Sequence, residues 1–484
     1  MTTWAYQSAN QLARAIGRRE VGALELLDYY LARVDRYNER INAIVVDDRD
    51  RAREAAAAAD LALARGEVWG PLHGVPMTVK ESYNVADLPT THGVPDLAQN
   101  IATEDALSVS RLKRAGAVIF GKTNVPLRLA DFQSYNAIYG TTNNPYDIER
   151  VPGGSSGGSA AALAAGLTGL ETGSDIGGSI RNPAHYCGVF GHKPTWGLLP
   201  PRGHALPGIL SPSDISVIGP LARSARDLET AVMAMAGPNE IESRGLQLSL
   251  KRRGKPISEW KVAVWADDPM APVSEETQAR VRDVAAAFAD AGATIDEDAR
   301  PDFNAEEAHR LFQRLLDPAL AARLPDDDFA AIVARAEGAG DDDRGAGVRT
   351  ARNQSARHRD WLRANEARTH LRWAWHRFFE EWDVLLTPMM ATAAFRHDQR
   401  AFKERVIEVD GRGRPYFEQV FWAGLIGASL LPSTVIPTGL NADGLPIGVQ
   451  IAGPEYADLD TIGAADFLEQ AAGFRFTPPS GYDD

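Results

Sequence analysis

The sequence predicts an α/β protein built around a layered β-sheet. From residue 70 onward, short apolar runs alternate with helical segments, and glycine-rich turns separate them. The strand candidates are 75–79, 117–120, 169–172, 262–265, 384–386 and 446–451. The helix candidates are 108–115, 159–165, 225–236, 276–291, 417–425 and 459–472. No fixed-period repeat interrupts this alternation.

Ahead of the sheet, residues 8–37 read as a helical hairpin. Ser8 is placed to cap its first helix. Leu24, Leu27, Leu31 and Val34 recur at helical spacing in the second, with Gly22 in the break. Residues 51–65 form an alanine-rich helix by propensity. Residues 302–379 differ in texture, being rich in Arg, Asp, Glu and Ala and poor in β-branched residues. They read as an inserted helical cap, mobile near 338–345, with a solvated helical excursion as the alternative.

The chain has 484 residues, 44 % hydrophobic and 24 % charged, values ordinary for a globular protein. Its net charge of −14 argues against general affinity for nucleic acid or anionic membrane, which favour basic surfaces. Cys187 is the one cysteine, so no intramolecular disulfide is possible. The first seven residues lack a basic region followed by an apolar run, and no stretch is apolar enough to span a bilayer. The expectation is a cytoplasmic protein acting on a small molecule, without nucleic acid, membrane, metal or cofactor. A homodimer is left open.

Two Gly/Ser runs carry the chemistry. Residues 153–159 read Gly-Gly-Ser-Ser-Gly-Gly-Ser and lead into an alanine-rich helix; residues 173–183 read Gly-Ser-Asp-Ile-Gly-Gly-Ser-Ile-Arg-Asn-Pro. Glycine lets a substrate approach main-chain N–H groups closely. Free N–H groups beside a nucleophile are what an oxyanion hole requires. One such run is usually a flexible turn or anion-binding loop; two, separated by a helix and a strand, point to catalysis.

These runs, with Cys-Gly-Val-Phe-Gly-His-Lys-Pro-Thr at 187–195 and Gly-Val-Pro-Met-Thr-Val-Lys at 74–80, closely resemble the amidase-signature family. Residues 121–124, 139–145 and 444–450 fit as well, so the resemblance spans nearly the whole chain and is densest in 70–220. It implies a single domain over 1–484 with its catalytic core at 70–220, and a central mixed β-sheet with helices on both faces and the 302–379 cap. It also implies a Ser–cis-Ser–Lys triad: Ser179 as nucleophile, Ser155 as bridging serine after a cis bond, and Lys80 as base. The N–H groups of Ile176, Gly177, Gly178 and Ser179 would surround the oxyanion.

The residues agree with that implication on physical grounds. A serine hydroxyl needs a base to become a useful nucleophile. Lysine serves as that base only when neutral, and burial lowers its pKa from about 10.4 by penalising the charged form. Lys80 ends an apolar run; the alternative is an ordinary surface lysine at a strand end. Ser156, Asp175 and Arg181 flank the triad and are expected to hold its loops, with a purely structural role as the alternative. Cys187 is expected to be a small packing residue.

Residues 116–123 satisfy GxxxxGK[ST], but a phosphate-binding loop is rejected there: the middle residues are apolar and look like a strand where such a loop needs a solvated turn. Residues 153–157 satisfy GxSxG; 143–152 contains two prolines and makes a poor strand, and an α/β-hydrolase-type esterase is kept as an alternative. His358, His370, His376 and His397 form no metal-binding pattern and read as solvated.

Substrate choice follows from weaker signals. By position in related enzymes, 124–139 lines the acyl pocket and offers Leu127, Leu129, Ala130, Phe132 and Tyr135. Leu206, Ile209 and Leu210 add an apolar wall, and Leu311, Phe312 and Leu315 are candidates from the cap. Such walls suit aryl or hydrophobic amides, with carbamates and esters as further candidates. An A-type component of a tRNA-dependent amidotransferase, working with partner proteins, shares the motifs and is the alternative. An inactive amidase-fold member of a complex is disfavoured because all three triad positions are filled.

Overall fold

The computed structural model describes residues 4–340 and 342–483. Met1, Thr2 and Thr3, part of the expected leaderless terminus, lie outside the described residues, as does Asp341 within the stretch expected to be mobile. The chain begins with the expected hairpin, Ala9–Gly17 and Ala23–Ile41. Ser8 Oγ accepts the Gln11 N–H at 3.2 Å and Gln11 Oε1 accepts the Ser8 N–H at 2.8 Å, a capping box. Gly22 has no side chain to cap the second helix. Asp60, on the helix Arg49–Ala64, does so instead, accepting from the Ala23 and Leu24 N–H groups at 2.7 and 3.0 Å.

Eight strands form one mixed sheet, in the order Thr294–Asp296, Lys261–Val264, Val384–Pro388, Pro446–Ala452, Ser433–Leu440, Phe190–Lys193, Val217–Ala222, Glu171–Asp175. The first three pair in parallel and the remaining pairs are antiparallel. Both faces are covered by helices, and the strands show why. Val262, Val264, Leu386, Val449 and Ile451 point into one apolar cluster with Ile462 and Leu468. Their neighbours Ala263, Leu385 and Ala452 point into another with Ile180 and Ala184. Burial on both faces removes polar alternation and leaves the apolar runs seen in sequence.

Nine strands among the described residues were not expected: Ile44–Asp47, Phe190–Lys193, Val217–Ala222, Thr294–Asp296 and Ser433–Leu440, and the short pairs Tyr135–Asn136 with Gly140–Thr141 and Val406–Val409 with Arg412–Pro415. Phe190–Lys193 and Ser433–Leu440 bury polar residues that partner one another. His192 Nδ1 lies 2.9 Å from Thr434 Oγ1, and His192 Nε2 lies 3.1 Å from Asp458 Oδ1. In Val217–Ala222, Gly219 reads as a turn signal but marks close strand contact, since a Cβ there would sit 2.4 Å from the His192 carbonyl oxygen. The strand expected at 169–172 runs Glu171–Asp175, and the helix expected at 417–425 divides into a 3₁₀ turn, Tyr416–Gln419, and the helix Val420–Gly427.

A smaller sheet orders Ile44–Asp47, Val118–Thr123 and Pro76–Lys80. Its edge strand Pro76–Lys80 lies beside Glu171–Asp175, the edge of the large sheet, and side-chain hydroxyls stitch the two. Thr78 N–H donates to Thr168 Oγ1 at 2.9 Å and Lys80 N–H to Thr172 Oγ1 at 3.4 Å. The end of one sheet is thereby delivered to the loop that leaves the other.

Between Thr294–Asp296 and Val384–Pro388 the chain leaves the sheet for four helices, Ala305–Ala321, Asp326–Gly338, Ala346–Gln354 and His358–Glu381. Phe312 from the first docks on Gly424 of Val420–Gly427, where a Cβ would lie 2.4 Å from its ring. Only glycine permits that approach. No helix among the described residues is long and apolar enough to cross a membrane.

Candidate functional site

Every residue of Pro76–Lys80 is buried, and Lys80 at its end is fully so. Its Nζ lies 2.6 Å from Ser155 Oγ, 2.9 Å from Ser174 Oγ and 3.0 Å from Ser156 Oγ. Burial is the dominant influence on this amine and outweighs the opposing Asp175 and Glu81 charges, lowering its pKa to about 7. A neutral amine has two N–H groups and one lone pair. Three hydroxyls satisfy all three, so one of them donates to the lone pair. Ser155, at the shortest distance, is placed to be that donor.

Ser155 follows a cis peptide bond from Gly154. A Cβ on Gly154 would sit 2.4 Å from the Asp131 carbonyl oxygen and 2.5 Å from that of Gln133, so the chain passes where only glycine fits. Asn182 clamps this residue from both ends: Gly154 N–H donates to Asn182 Oδ1 at 3.0 Å, and Asn182 Nδ2 donates to the Gly154 carbonyl at 2.5 Å. Ser156 N–H donates to the Ser179 carbonyl at 3.2 Å, joining the two Gly/Ser segments directly.

The second segment turns about Asp175, which is fully buried. Arg181 donates to it through Nε at 2.9 Å and Nη2 at 2.8 Å, and the N–H groups of Gly178 and Ile180 donate at 2.8 and 3.1 Å. Burial alone would raise this carboxyl; the Arg181 guanidinium, Lys193 and the Gly178 N–H overcome it and hold the pKa at about 2. Arg181 also donates to Gln450 Oε1 at 2.7 Å. Of the expected oxyanion set, the Gly178 N–H donates to Asp175 at 2.8 Å, with Gly178 at φ +109. The N–H groups of Ile176, Gly177 and Ser179 have no acceptor among the described residues.

Ser155, Ser174, Ile176 and Ser179 open onto a cavity of about 140 Å³. Leu129 and Leu206 line it. The other expected wall residues do not. Phe132 is buried against Tyr416 and Phe417; Tyr135 Oη accepts from Arg405 at 2.8 Å; Ala130 is exposed; Ile209 lines a neighbouring cleft. Leu127 and Leu210 are exposed. The helical insert contributes Ala319, Leu320, Arg323 and Leu324 in place of Leu311, Phe312 and Leu315. His92, His204, Arg128 and Ser174 also line the cavity and were not anticipated. Burial lowers His92 to about 3 and holds His204 well below its ordinary value, so both imidazoles are neutral. Ser174 was within reach of sequence reasoning: it lies two positions from Thr172, on the face that meets Lys80.

The other sequence patterns have different settings. Lys122, from the GxxxxGKT run, lies within the strand Val118–Thr123 and donates to Thr90 Oγ1 at 2.9 Å. The segment before Gly157–Ala164 carries no strand. Cys187 is buried, with its Sγ 3.4 Å from the Pro152 carbonyl oxygen and its thiol pKa raised by burial. His370 and His376 lie beside Glu366 and Glu380 on the exposed face of the helix His358–Glu381.

The Amidase family profile matches residues 25–462. The chain is 32 % identical over 490 residues to an acylamidase of Rhodococcus erythropolis, covering 98 % of this chain and 95 % of that protein. It is 31 % identical over 492 residues to the A subunit of the glutamyl-tRNA(Gln) amidotransferase of Moorella thermoacetica, covering 98 % of each. The solved structure of a bacterial aryl acylamidase of the amidase-signature enzymes superposes with a TM-score of 0.80 at 25 % identity, over 99 % of this chain and 97 % of that one. Signature loops, sheet and full-length relatives agree: the chain belongs to the amidase family of C–N hydrolases.

Proposed function

We propose that the chain cleaves compact aryl or hydrophobic amides through an acyl-enzyme on Ser179, with carbamates and esters as further substrates. The observation that carries this reading is the fully buried Lys80 amine, 2.6 Å from Ser155 Oγ, with its pKa lowered to about 7. Ser179 Oγ attacks the carbonyl carbon and gives its proton to Ser155 Oγ, which gives its own to Lys80 Nζ. The N–H groups of Ile176, Gly177 and Ser179 receive the developing oxyanion. The tetrahedral intermediate collapses, and the C–N bond breaks as the leaving nitrogen takes the proton back along the same relay. Water then repeats the sequence on the ester.

Residues 70–220 form the catalytic core in this reading, and the 302–379 insert caps it, supported by the cavity wall that Ala319, Leu320 and Leu324 supply. A volume of about 140 Å³ supports a single-ring acyl group; an apolar cavity of roughly 150 Å³ in another protein binds benzene. The names of the acylamidase relatives point the same way. The amidotransferase relative keeps a second reading open, in which the chain is the A-type component of a complex and hydrolyses glutamine with partner proteins.

Hydrolysis of a nitroanilide, an aryl ester, an aryl carbamate and glutamine by wild type and Ser179→Ala tests this. Wild type is expected to cleave the anilide, with kcat at least ~10³-fold lower in the variant. Equal rates in both would remove Ser179 from its role. Glutamine hydrolysis without anilide cleavage would favour the amidotransferase reading.

A further inference from the structure

The cavity beside Ser155 and Ser179 is lined by two cations and no acid. Arg128 and Arg323 are its charged side chains, on a wall otherwise made by apolar groups, serines and the neutral His92 and His204. Arg323 follows the helix Ala305–Ala321 and is half-buried. It makes one long hydrogen bond, 3.5 Å to the Ser211 carbonyl, and no ion pair among the described residues. Burial lowers its pKa, the sign of a charge withdrawn from water. The acid nearest Arg128 is Asp328, 3.9 Å away and itself 60 % exposed, beyond hydrogen-bonding range. In a chain of net charge −14, acids are plentiful. Two guanidinium groups facing one cavity, with no carboxylate in its wall and only the long, exposed ion pair from Arg128 to Asp328, are therefore a local feature that the bulk charge does not explain.

The backbone holds these groups in place. His92, Arg128 and Leu129 line the cavity with φ of +53, +53 and +60, and Ile215 between the lining Ser213 and Ser216 has φ +51. Side-chain-bearing residues rarely adopt this conformation. Such residues gather where a site over-determines the chain. The Arg128 N–H donates to the His92 carbonyl at 2.8 Å, tying two of them together.

We propose that Arg323 and Arg128 form an anion subsite, and that the preferred substrates carry a carboxylate a few bonds from the scissile carbonyl. The inference deepens the hydrolase reading and rests on it. A guanidinium matches a carboxylate through paired N–H donors. The apolar part of the wall, Leu129, Leu206, Leu320 and Leu324, excludes water and strengthens that attraction. The volume of about 140 Å³ limits the spacer to a short chain or one ring.

The test uses the mono-nitroanilide of glutaric acid and its methyl ester, which differ in charge but present the same anilide. Their binding to the chemically silent Ser179→Ala is measured by calorimetry, and their turnover by wild type separately. The acid is expected to bind at least tenfold more tightly than the ester, with a preference that falls as salt rises. In the Ser179→Ala background, Arg323→Gln is expected to abolish the preference and Arg323→Lys to retain part of it. Arg128→Gln is the second variant should Arg323→Gln fail to fold, and is expected to weaken the preference in the same direction. Equal affinity for acid and ester, or a preference untouched by the Arg variants, would overturn the subsite. Tight acid binding without wild-type turnover of either compound would instead overturn the hydrolase reading and leave the subsite standing.

Discussion

In the proposed mechanism the protonation state of Lys80 decides the chemistry. The amine would act as base when neutral, and burial lowers its pKa to about 7. The neutral fraction therefore grows as pH rises through that value. kcat/KM is expected to climb about tenfold per unit below pH ~7 and level off above it. A flat profile over this range in a wild-type assay would contradict the assignment. Lys80→Arg keeps a cation that stays protonated; its kcat is expected to fall by roughly 10²–10⁴-fold, without recovery at alkaline pH. Asp175 supports the other segment. Asp175→Asn leaves Arg181 buried without its counter-charge, and denaturant unfolding is expected to show a loss of roughly 3–5 kcal/mol. At this scale the triad candidates were legible because Ser155 and Ser179 sit in glycine-flanked runs with demands that are local. Sequence spacing does not show which acceptor an amide meets: the Gly178 N–H donates to Asp175, three residues earlier.

Elements that bring these residues together depend on close passages that tolerate no extra atom. Gly154→Ala would push a methyl against the carbonyl oxygens of Asp131 and Gln133, backbone atoms that cannot rotate away. Thermal unfolding is expected to register a loss of about 1–3 kcal/mol or more, with activity lost alongside because Ser155 moves. Asn182→Ala frees Gly154 at both ends, and is expected to lower kcat more than it raises KM, read in steady-state assays. Apolar strands such as Val384–Pro388 and Pro446–Ala452 were readable because burial on both faces leaves unbroken hydrophobic runs. Phe190–Lys193 was not: its His192 and Lys193 look like surface residues until Asp458, Thr434 and the Leu431 carbonyl are seen to partner them. Buried polar groups need such partners, and the partners lie far away in sequence.

For the molecule as a whole, one cavity draws on both Gly/Ser loops, the turn at Leu127–Leu129, the segment around Leu206 and the helical insert. The insert was visible as a change of composition. Its contribution was not, because Leu311, Phe312 and Leu315 share the apolar stripe that docks it, while Arg323 and Leu324 beyond the helix end reach the cavity. Phe312 is fully buried and fills the space above Gly424. Phe312→Ala is expected to cost roughly 3–5 kcal/mol in denaturant unfolding and to raise KM as the insert loosens. A variant with unchanged stability would show that the insert docks by other contacts. The role of Ser179 itself is open to direct observation. The protein is treated with an active-site-directed fluorophosphonate, and the modified residue is located by peptide mass spectrometry. A single adduct on Ser179, slowed when Lys80 is replaced by alanine, is the expected result. An adduct on Ser155 instead, or amide hydrolysis that survives full labelling of Ser179, would show that another group attacks the carbonyl.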